Sequence, residues 1–437
     1  MKVHKSPYNK MIMKKGKILL FVGNTGEIYQ IPLILAITIK LNFFIFVKKE
    51  KVIELVRKGI INAESYKKIL LEAKSKSIKD NQKQIPYIVI APTMNCNLKC
   101  PYCFVKNQLK NQVIKKEIID KIIEYIGFQG GYFSIDWFGG EPSLAPDMIQ
   151  YFYDEADKRE FKNVKSLLIT NCVHINEKMW YVIENYITKI QITIDGFKNY
   201  HDKRRKLVNG EGSFDKIISN LDILYERILN KKVKKLIKVV VRCNVDKDNI
   251  FNLSEFRQYI LLRYNFLFSV EFARVQECGI AEYDNRILSE KQYCDFLVNL
   301  YETHGVVLEP YLSDFNVRFN HCGAVNPKSL VFDPSGNVYK CSLDCGNEKK
   351  RIGSCFSKIR NDNSIETKYS LSNLDLLPKK CNKCSLLFFC WGGCPQQRIN
   401  KNMKKVCCYH KKGVKKFISI MYELAMFRKR YPLIQIF

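Results

Sequence analysis

The chain has 437 residues, 46% of them hydrophobic, which suits one large domain with appendages or two to three domains and excludes wholesale disorder. A net charge of +29 favours an acidic partner (an acidic peptide, a nucleic acid or an anionic membrane surface), with Lys-rich usage on a solvated surface an equal reading. The seventeen cysteines follow an N-terminus, MKVHKSPYNKMIMKKG, without an apolar signal core, so the expectation is a cytoplasmic chain whose reduced thiols serve metal binding or catalysis rather than disulfides.

Residues 1–85 read as an accessory α+β region. YNKMIMKKGKILLFVGNTGEIYQI alternates apolar and polar residues around a turn at Gly23–Gly26, which predicts a β-hairpin. The apolar run Ile31 to Val47 is interrupted by Lys40 and Asn42; it is too short and charged to span a membrane and reads as core. Apolar positions recurring at three and four residues from Glu50 to Leu71 predict short helices, and SKSIKDNQKQ, residues 75–84, a linker.

Residues 86–310 alternate strand-like and helical stretches. IPYIVIAPT, YFSIDWFGG, SLLITN, IQITIDG, IKVVVRCNV and FSVEFARV are six successive strands, with Lys115 to Ile126 helical between the first two. This rhythm predicts a parallel β/α sheet or barrel with functional residues at the carboxyl ends of its strands. Residues 311–412 lose the rhythm and hold ten of the seventeen cysteines, so metal rather than an apolar core is expected to organise them. Residues 413–437 begin with an amphipathic packing helix, Val414 to Arg428.

CNLKCPYCF, residues 96–104, places Cys96, Cys100 and Cys103 in one loop after the first strand. Three thiolates suit a 4Fe–4S cluster with one iron left without a protein ligand, whereas structural zinc takes four protein ligands. The stretch resembles the C-x3-C-x-aromatic-C motif of the radical S-adenosylmethionine (SAM) enzymes. The resemblance implies a partial (β/α)6 barrel, SAM chelated to the open iron, and reductive cleavage of SAM to a 5′-deoxyadenosyl radical, with Tyr102 against the adenine. WFGGEPSL, 36 residues after Cys103, is similar to the family's GGEP motif, and implies that Gly139, Gly140, Glu141 and Pro142 contact the SAM amino group. ITIDGFKNYHDKRR, residues 192–205, resembles the segment that ends the fourth strand in the family. It implies that Thr193, Asp195 and Arg205 meet the ribose and carboxylate, Arg being apt because its fork is bidentate. Thr170–Asn171 precede Cys172 where the family often has T-N-G, which adds Asn171 to the candidate SAM contacts.

Cys322, Gly336 and Cys341, then C-x2-C-x5-C-x3-C over Cys381, Cys384, Cys390 and Cys394, then Cys407–Cys408, resemble the SPASM extension of peptide-modifying radical SAM enzymes. The resemblance implies two auxiliary 4Fe–4S clusters, three in all. Cys322, Cys341 and Cys394 would hold the first, with Cys345 or an open site as its fourth ligand. Cys381, Cys384, Cys390 and Cys407, or else Cys408, would hold the second. The remaining thiols, Cys172, Cys243, Cys278, Cys294 and Cys355, read as core or surface residues. No catalytic base is named by the sequence, and nothing but charge points to nucleic acid.

Two branches of that family compete. Sulfatase-maturing enzymes make formylglycine and carry an aspartate base where this chain has Ser342, and their first cysteine motif lies nearer the N-terminus. Both departures, and an N-terminal hairpin in the style of a leader-binding region, favour the other branch. The expectation is thus a maturase that crosslinks a ribosomally made precursor peptide with a leader, through a thioether or carbon–carbon bond, supplied by a flavodoxin- or ferredoxin-type electron donor. Formylglycine formation is the alternative, and an iron–sulfur carrier the non-enzyme reading.

Overall fold

The computed structural model describes the chain except residues 1–2, 43, 45–46, 63–67, 70, 73–74, 76–84, 106–111, 277–280, 307–321, 358–362, 370–376, 402–405 and 431–437. All but the first residue of the expected linker, and Cys278, lie outside the described residues. Two compact units result: one combines residues 1–83, 290–326 and 368–437, the other 84–289 and 327–367.

The first unit opens with β1 (His4–Lys5), β2 (Asn9–Lys14), β3 (Lys17–Val22), β4 (Ile28–Ile31), α1 (Leu33–Leu41), α2 (Lys49–Arg57) and β5 (Ile61–Asn62). β1 pairs with β5, and β2–β3–β4 form an antiparallel meander. The expected hairpin is the β3–β4 half of that meander. The β2–β3 turn went unread because it is Lys15–Gly16, both at positive φ (46° and 73°), rather than an Asn-Gly or Asp-Gly pair. The run Ile31 to Val47 is only partly core. α1 ends at Asn42 in the left-handed region (φ 58°) and buries Ala36 and Ile39, but leaves Ile34 80% exposed. Tyr8 packs with Leu377, Cys381, Leu387, Phe388 and Trp391, so the N-terminal sheet and the cysteine-rich segment share an apolar cluster. The C-terminal helix, Val414–Arg430, meets the same sheet through the Lys14–Glu423 ion pair (2.5 Å) and the Tyr422 hydroxyl, which donates to Gln30 (2.9 Å).

The second unit carries the six predicted strands: β6 (Tyr87–Ile90), β7 (Tyr132–Trp137), β8 (Lys162–Thr170), β9 (Lys189–Thr193), β10 (Lys238–Val245) and β11 (Phe268–Arg274). They are parallel and adjacent in chain order. Helices α3 (Lys116–Phe128), α4 (Pro146–Lys158), α5 (Glu177–Tyr186), α6 (Lys198–Arg204), α7 (Phe214–Leu229) and α8 (Leu253–Arg263) fill the crossovers. α3 shows why: Ile118, Ile119, Ile122, Ile123 and Ile126 recur on one face and all are buried.

One element departs from the reading of residues 311–412 as metal-organised. SLVF is strand β12 (Ser329–Phe332), fully buried and parallel to β6, and β13 (Asn337–Tyr339) and β14 (Gly353–Ser354) extend the sheet to nine strands. Three consecutive apolar residues after a serine carry no period to recognise.

Phe152 is completely buried on α4, with edge-on contacts to Phe133, Trp137 and Tyr153. Phe152→Ala is expected to destabilise the sheet–helix core by about 3–5 kcal/mol, read as a lower urea midpoint for loss of the Trp137 environment.

Candidate active site

A cavity of about 360 Å³ opens at the carboxyl ends of the parallel strands. The loop after β6 brings Cys96, Cys100 and Cys103 to its wall, and the loop after β7 brings Gly139, Gly140 and Glu141. Thr170 and Asn171 arrive from β8, Thr193 from β9, Arg205 from beyond α6, and Ser342 and Leu343 from beyond β13. The cysteine loop is held from two sides. Gly140 donates to Thr93 and Glu141 to Asn95 through their backbone N–H groups (2.9 and 2.7 Å). Lys99 N–H donates to the Lys206 carbonyl (2.9 Å) and Val208 N–H to that of Asn97 (3.0 Å). Gly140 is obligatory, since a Cβ there would lie 2.1 Å from the Asn95 carbonyl oxygen.

Burial first, then the Glu141 charge, pushes the Cys96 thiol up to about 12. Burial pushes Cys100 up to about 11 against the pull of Arg205. Thiols raised in this way would have to release protons to bind a metal cation. Among the described residues no three His, Cys, Asp or Glu side chains close on a site for a single ion. A cubane asks instead for sulfurs spread along a wall, because each cysteine binds a different iron.

Two buried charges define the rest of the cavity. Glu141 is 1% exposed and accepts from the Thr170 hydroxyl (2.6 Å) and the N–H groups of Asn171 (2.7 Å) and Ser143 (3.0 Å). All three donors are neutral, and burial pushes its carboxyl above the usual range despite them. Arg205 is 7% exposed, donates from one terminal nitrogen to the Tyr102 hydroxyl (2.9 Å), and leaves its Nε buried without a partner. A buried carboxylate lacking a cation and a guanidinium with an orphaned donor, in one cavity, complement a zwitterionic α-amino acid. The methionyl end of SAM is such a group, and the residues present fit it.

Asp195 and Pro142, expected to touch the cofactor, do not line the cavity. Asp195 is wholly buried and accepts from the Tyr102 hydroxyl and the Asn244 N–H (3.0 Å), so it acts by fixing Tyr102. Burial alone would raise its pKa, but Arg204 and Arg205 hold it below the usual range. Arg204 bridges Asp195 (3.6 Å) and Asp246 (3.2 Å) and lies over the Tyr102 ring. Gln191, Arg242, Asn244 and Arg274 also line the cavity. The signal for them was alternation in β9 and β10, which puts polar residues of IQIT and VRCN on one face next to a predicted strand end. Cys172 sits at φ 58°, the left-handed conformation for which glycine is the common residue at that turn.

In the other unit, Cys381, Cys384, Cys390, Cys407 and Cys408 line one small cavity. The chain reverses after Cys390 through Trp391, Gly392 and Gly393, all at positive φ, and a Cβ on Gly393 would lie 1.9 Å from the Val406 carbonyl oxygen. Arg398 is 2% exposed, its charge acts on Cys381, Cys390 and Cys394, and its Nε and Nη1 lack partners. Lys411 reaches the Cys384 sulfur (3.4 Å). Buried cationic donors beside thiols suit the negative charge of a thiolate-ligated cluster. A hydrogen bond from Cys408 is the main cause that holds the Cys390 thiol below its ordinary range. Cys322 and Cys394 belong to this unit, whereas Cys341 and Cys345 belong to the sheet unit. Cys345 is fully enclosed by an apolar cluster that includes Val331 and Tyr339.

Residues 90–242 match the family model described as the Radical SAM superfamily. A serine-type anaerobic sulfatase-maturating enzyme of Bacteroides thetaiotaomicron is 23% identical over 72% of this chain and 84% of its own length. A cysteine-type enzyme of Clostridium novyi is 26% identical over 72% of this chain and 89% of its own. The solved structure of native anSMEcpe with bound AdoMet shares the fold (TM-score 0.61, 22% identity, 79% of this chain and 99% of that one). Residues 90–242 therefore form a Radical SAM domain, a family that implies an enzyme working with a 4Fe–4S cluster and SAM. No helix among the described residues is long and apolar enough to cross a membrane.

These relatives correct the expectation of a crosslinking precursor-peptide maturase, because similarity along nearly three quarters of the chain runs to sulfatase-maturating enzymes. That expectation rested on Ser342 in place of an aspartate, on the distance of the first cysteine motif from the N-terminus, and on an N-terminal hairpin. The hairpin belongs to a meander whose strand β3 buries Leu19, Leu20, Phe21 and Val22 inside its own unit.

Arg205→Lys keeps the charge and loses the fork. SAM affinity of the anaerobically reconstituted enzyme is expected to fall about 10- to 100-fold, measured by equilibrium dialysis, with the iron content of the first cluster retained.

Proposed function

We propose that this enzyme oxidises a cysteine or serine side chain of a polypeptide to formylglycine, the reaction type of anaerobic sulfatase maturation. The observation that carries the reading is the likeness to sulfatase-maturating enzymes over 72% of the chain, joined to a cavity whose Glu141 and Arg205 suit a zwitterion. The solved structure of native anSMEcpe with AdoMet and the Cp18Cys peptide has the same fold (TM-score 0.60), which supports a polypeptide as substrate.

When bound, SAM and its cluster would supply a hydrogen-abstracting radical, and an auxiliary cluster would supply an acceptor for one electron. The chain's residues do the rest. Cys96, Cys100 and Cys103 hold the first cluster, Glu141 takes the SAM ammonium, Arg205 its carboxylate, and Thr193 and Asn171 flank them. Asp195 keeps Tyr102 in place. By the family resemblance alone, Cys322, Cys341 and Cys394 would hold one auxiliary cluster, and Cys381, Cys384 and Cys390 with Cys407 or Cys408 would hold the other. An external flavodoxin- or ferredoxin-type protein in the cytoplasm supplies the electron. In domain terms, residues 86–310 would do the radical chemistry and 311–412 the electron transfer, with 1–85 and 413–437 as accessory segments.

The substrate Cβ gives up a hydrogen atom, and its side chain then loses one electron and the heteroatom's proton. Serine becomes the aldehyde directly; cysteine becomes a thioaldehyde, which water hydrolyses with release of hydrogen sulfide. Ser342, lining the cavity next to Cys341, can pass that proton on but cannot keep it. A thiol, with an ordinary pKa of about 8.5, sheds it far more readily than a hydroxyl beside Arg205, Arg242 and Arg274.

Anaerobic incubation with SAM, dithionite and paired peptides differing only in Cys or Ser is expected to yield 5′-deoxyadenosine and a peptide aldehyde, faster from cysteine. Peptides recovered unchanged or crosslinked would reject the reading. Ser342→Asp is expected to raise oxidation of the serine peptide at least about tenfold by supplying a base. The three-cluster assignment predicts about twelve irons per chain, and about four would reject it.

A further inference from the structure

Among the described residues, the cavity wall carries three guanidinium groups and a single carboxylate. Arg205, Arg242 and Arg274 all line it, and none of the three takes part in an ion pair among the described residues. Glu141 is the one carboxylate on the described wall, and its three donors are all neutral. SAM brings a single carboxylate, for which Arg205 is placed, together with an ammonium and a sulfonium. Two guanidinium groups remain on adjacent strands, Arg242 on β10 and Arg274 on β11.

Both are anchored on one side only. Arg242 donates from Nε to the Asn244 side chain (3.2 Å), and Asn244 in turn donates to the Tyr102 hydroxyl (3.3 Å). Arg274 donates from one terminal nitrogen to the Leu288 carbonyl (2.7 Å). Glu271, the register neighbour of Arg242, does not line the cavity and makes no ion pair with it among the described residues. Both part-buried guanidinium forks line the cavity, each fixed at one nitrogen with terminal N–H groups left over that a carboxylate can accept from. Fixing them beforehand removes the ordering cost of binding.

We propose that Arg242 and Arg274 form a carboxylate-binding subsite that selects polypeptides with an aspartate or glutamate beside the oxidised residue. This rests on the polypeptide-oxidation reading and narrows its substrate class. The +29 net charge draws acidic segments to the enzyme from a distance, and the two arginines would convert that general attraction into a positional requirement.

The test uses the reconstituted full-length enzyme with SAM and a randomised pool of eleven-residue peptides centred on Cys or Ser. Bound peptides are sequenced by mass spectrometry for the wild type, Arg242→Gln, Arg274→Gln and Arg274→Lys. The expected result is several-fold enrichment of Asp or Glu at one or two defined positions next to the centre, lost in both Gln variants and partly kept in Arg274→Lys. No acidic enrichment overturns the proposal. So does an enrichment spread evenly over all positions or unchanged in the Gln variants, since surface charge would explain it. Aldehyde formation in the same pool is scored separately: positional selection without aldehyde rejects the formylglycine reading and leaves the subsite, whereas aldehyde without selection does the reverse.

Discussion

The site depends on one buried polar network. Asp195 at the end of β9 and Asp246 beyond β10 share the Arg204 guanidinium, and both carboxylates are wholly buried. The Tyr102 hydroxyl donates to Asp195, and that of Tyr283 to Asp246. Ion pairs of this kind are weak evidence of stability, because desolvation consumes much of their attraction. Their effect here is geometric. Tyr102 lies between Cys100 and Cys103, so fixing its ring and hydroxyl fixes the cysteine loop on the strand ends. Removing one member would strand the other charges in a dry environment, so the network holds together as a whole.

From that anchor the remaining geometry follows. Tyr102 receives Arg205 and Asn244 as well, which spaces the guanidinium of Arg205 from the cysteines and orients Arg242 through Asn244. On the opposite side, the Gly139–Gly140 turn lets the Glu141 backbone meet Asn95 and sets its carboxylate under Thr170 and Asn171. The cavity thus has an acidic end and a basic end before any cofactor enters. Such preorganised charges cost nothing to reorient during reaction.

The six core strands and the strand-end location of the site were legible because alternating apolar runs and cysteine, glycine and arginine motifs carry strong local signals. Asp195 was legible as important but not in its role: a sequence shows the residue, not that its carboxylate turns away from the cavity toward Tyr102. Arg242, Asn244 and Arg274 were missed because polar residues within a strand look alike until the partner strands fix which face is inward. β12 was missed because four buried residues pair with β6 from more than 200 positions away. The choice between peptide crosslinking and formylglycine formation was misjudged because local departures (Ser342, the position of the cysteine motif and an N-terminal hairpin) were weighed more heavily than the likeness along most of the chain.

Deuterium transfer tests the account most directly. The enzyme would be turned over anaerobically with SAM and a peptide whose target cysteine carries deuterium at Cβ. The account predicts one deuterium in the 5′-deoxyadenosine for each aldehyde formed, and a wild-type rate slowed by the label. Aldehyde or any other product formed with unlabelled 5′-deoxyadenosine, under conditions that exclude solvent exchange, would place the radical elsewhere and contradict it.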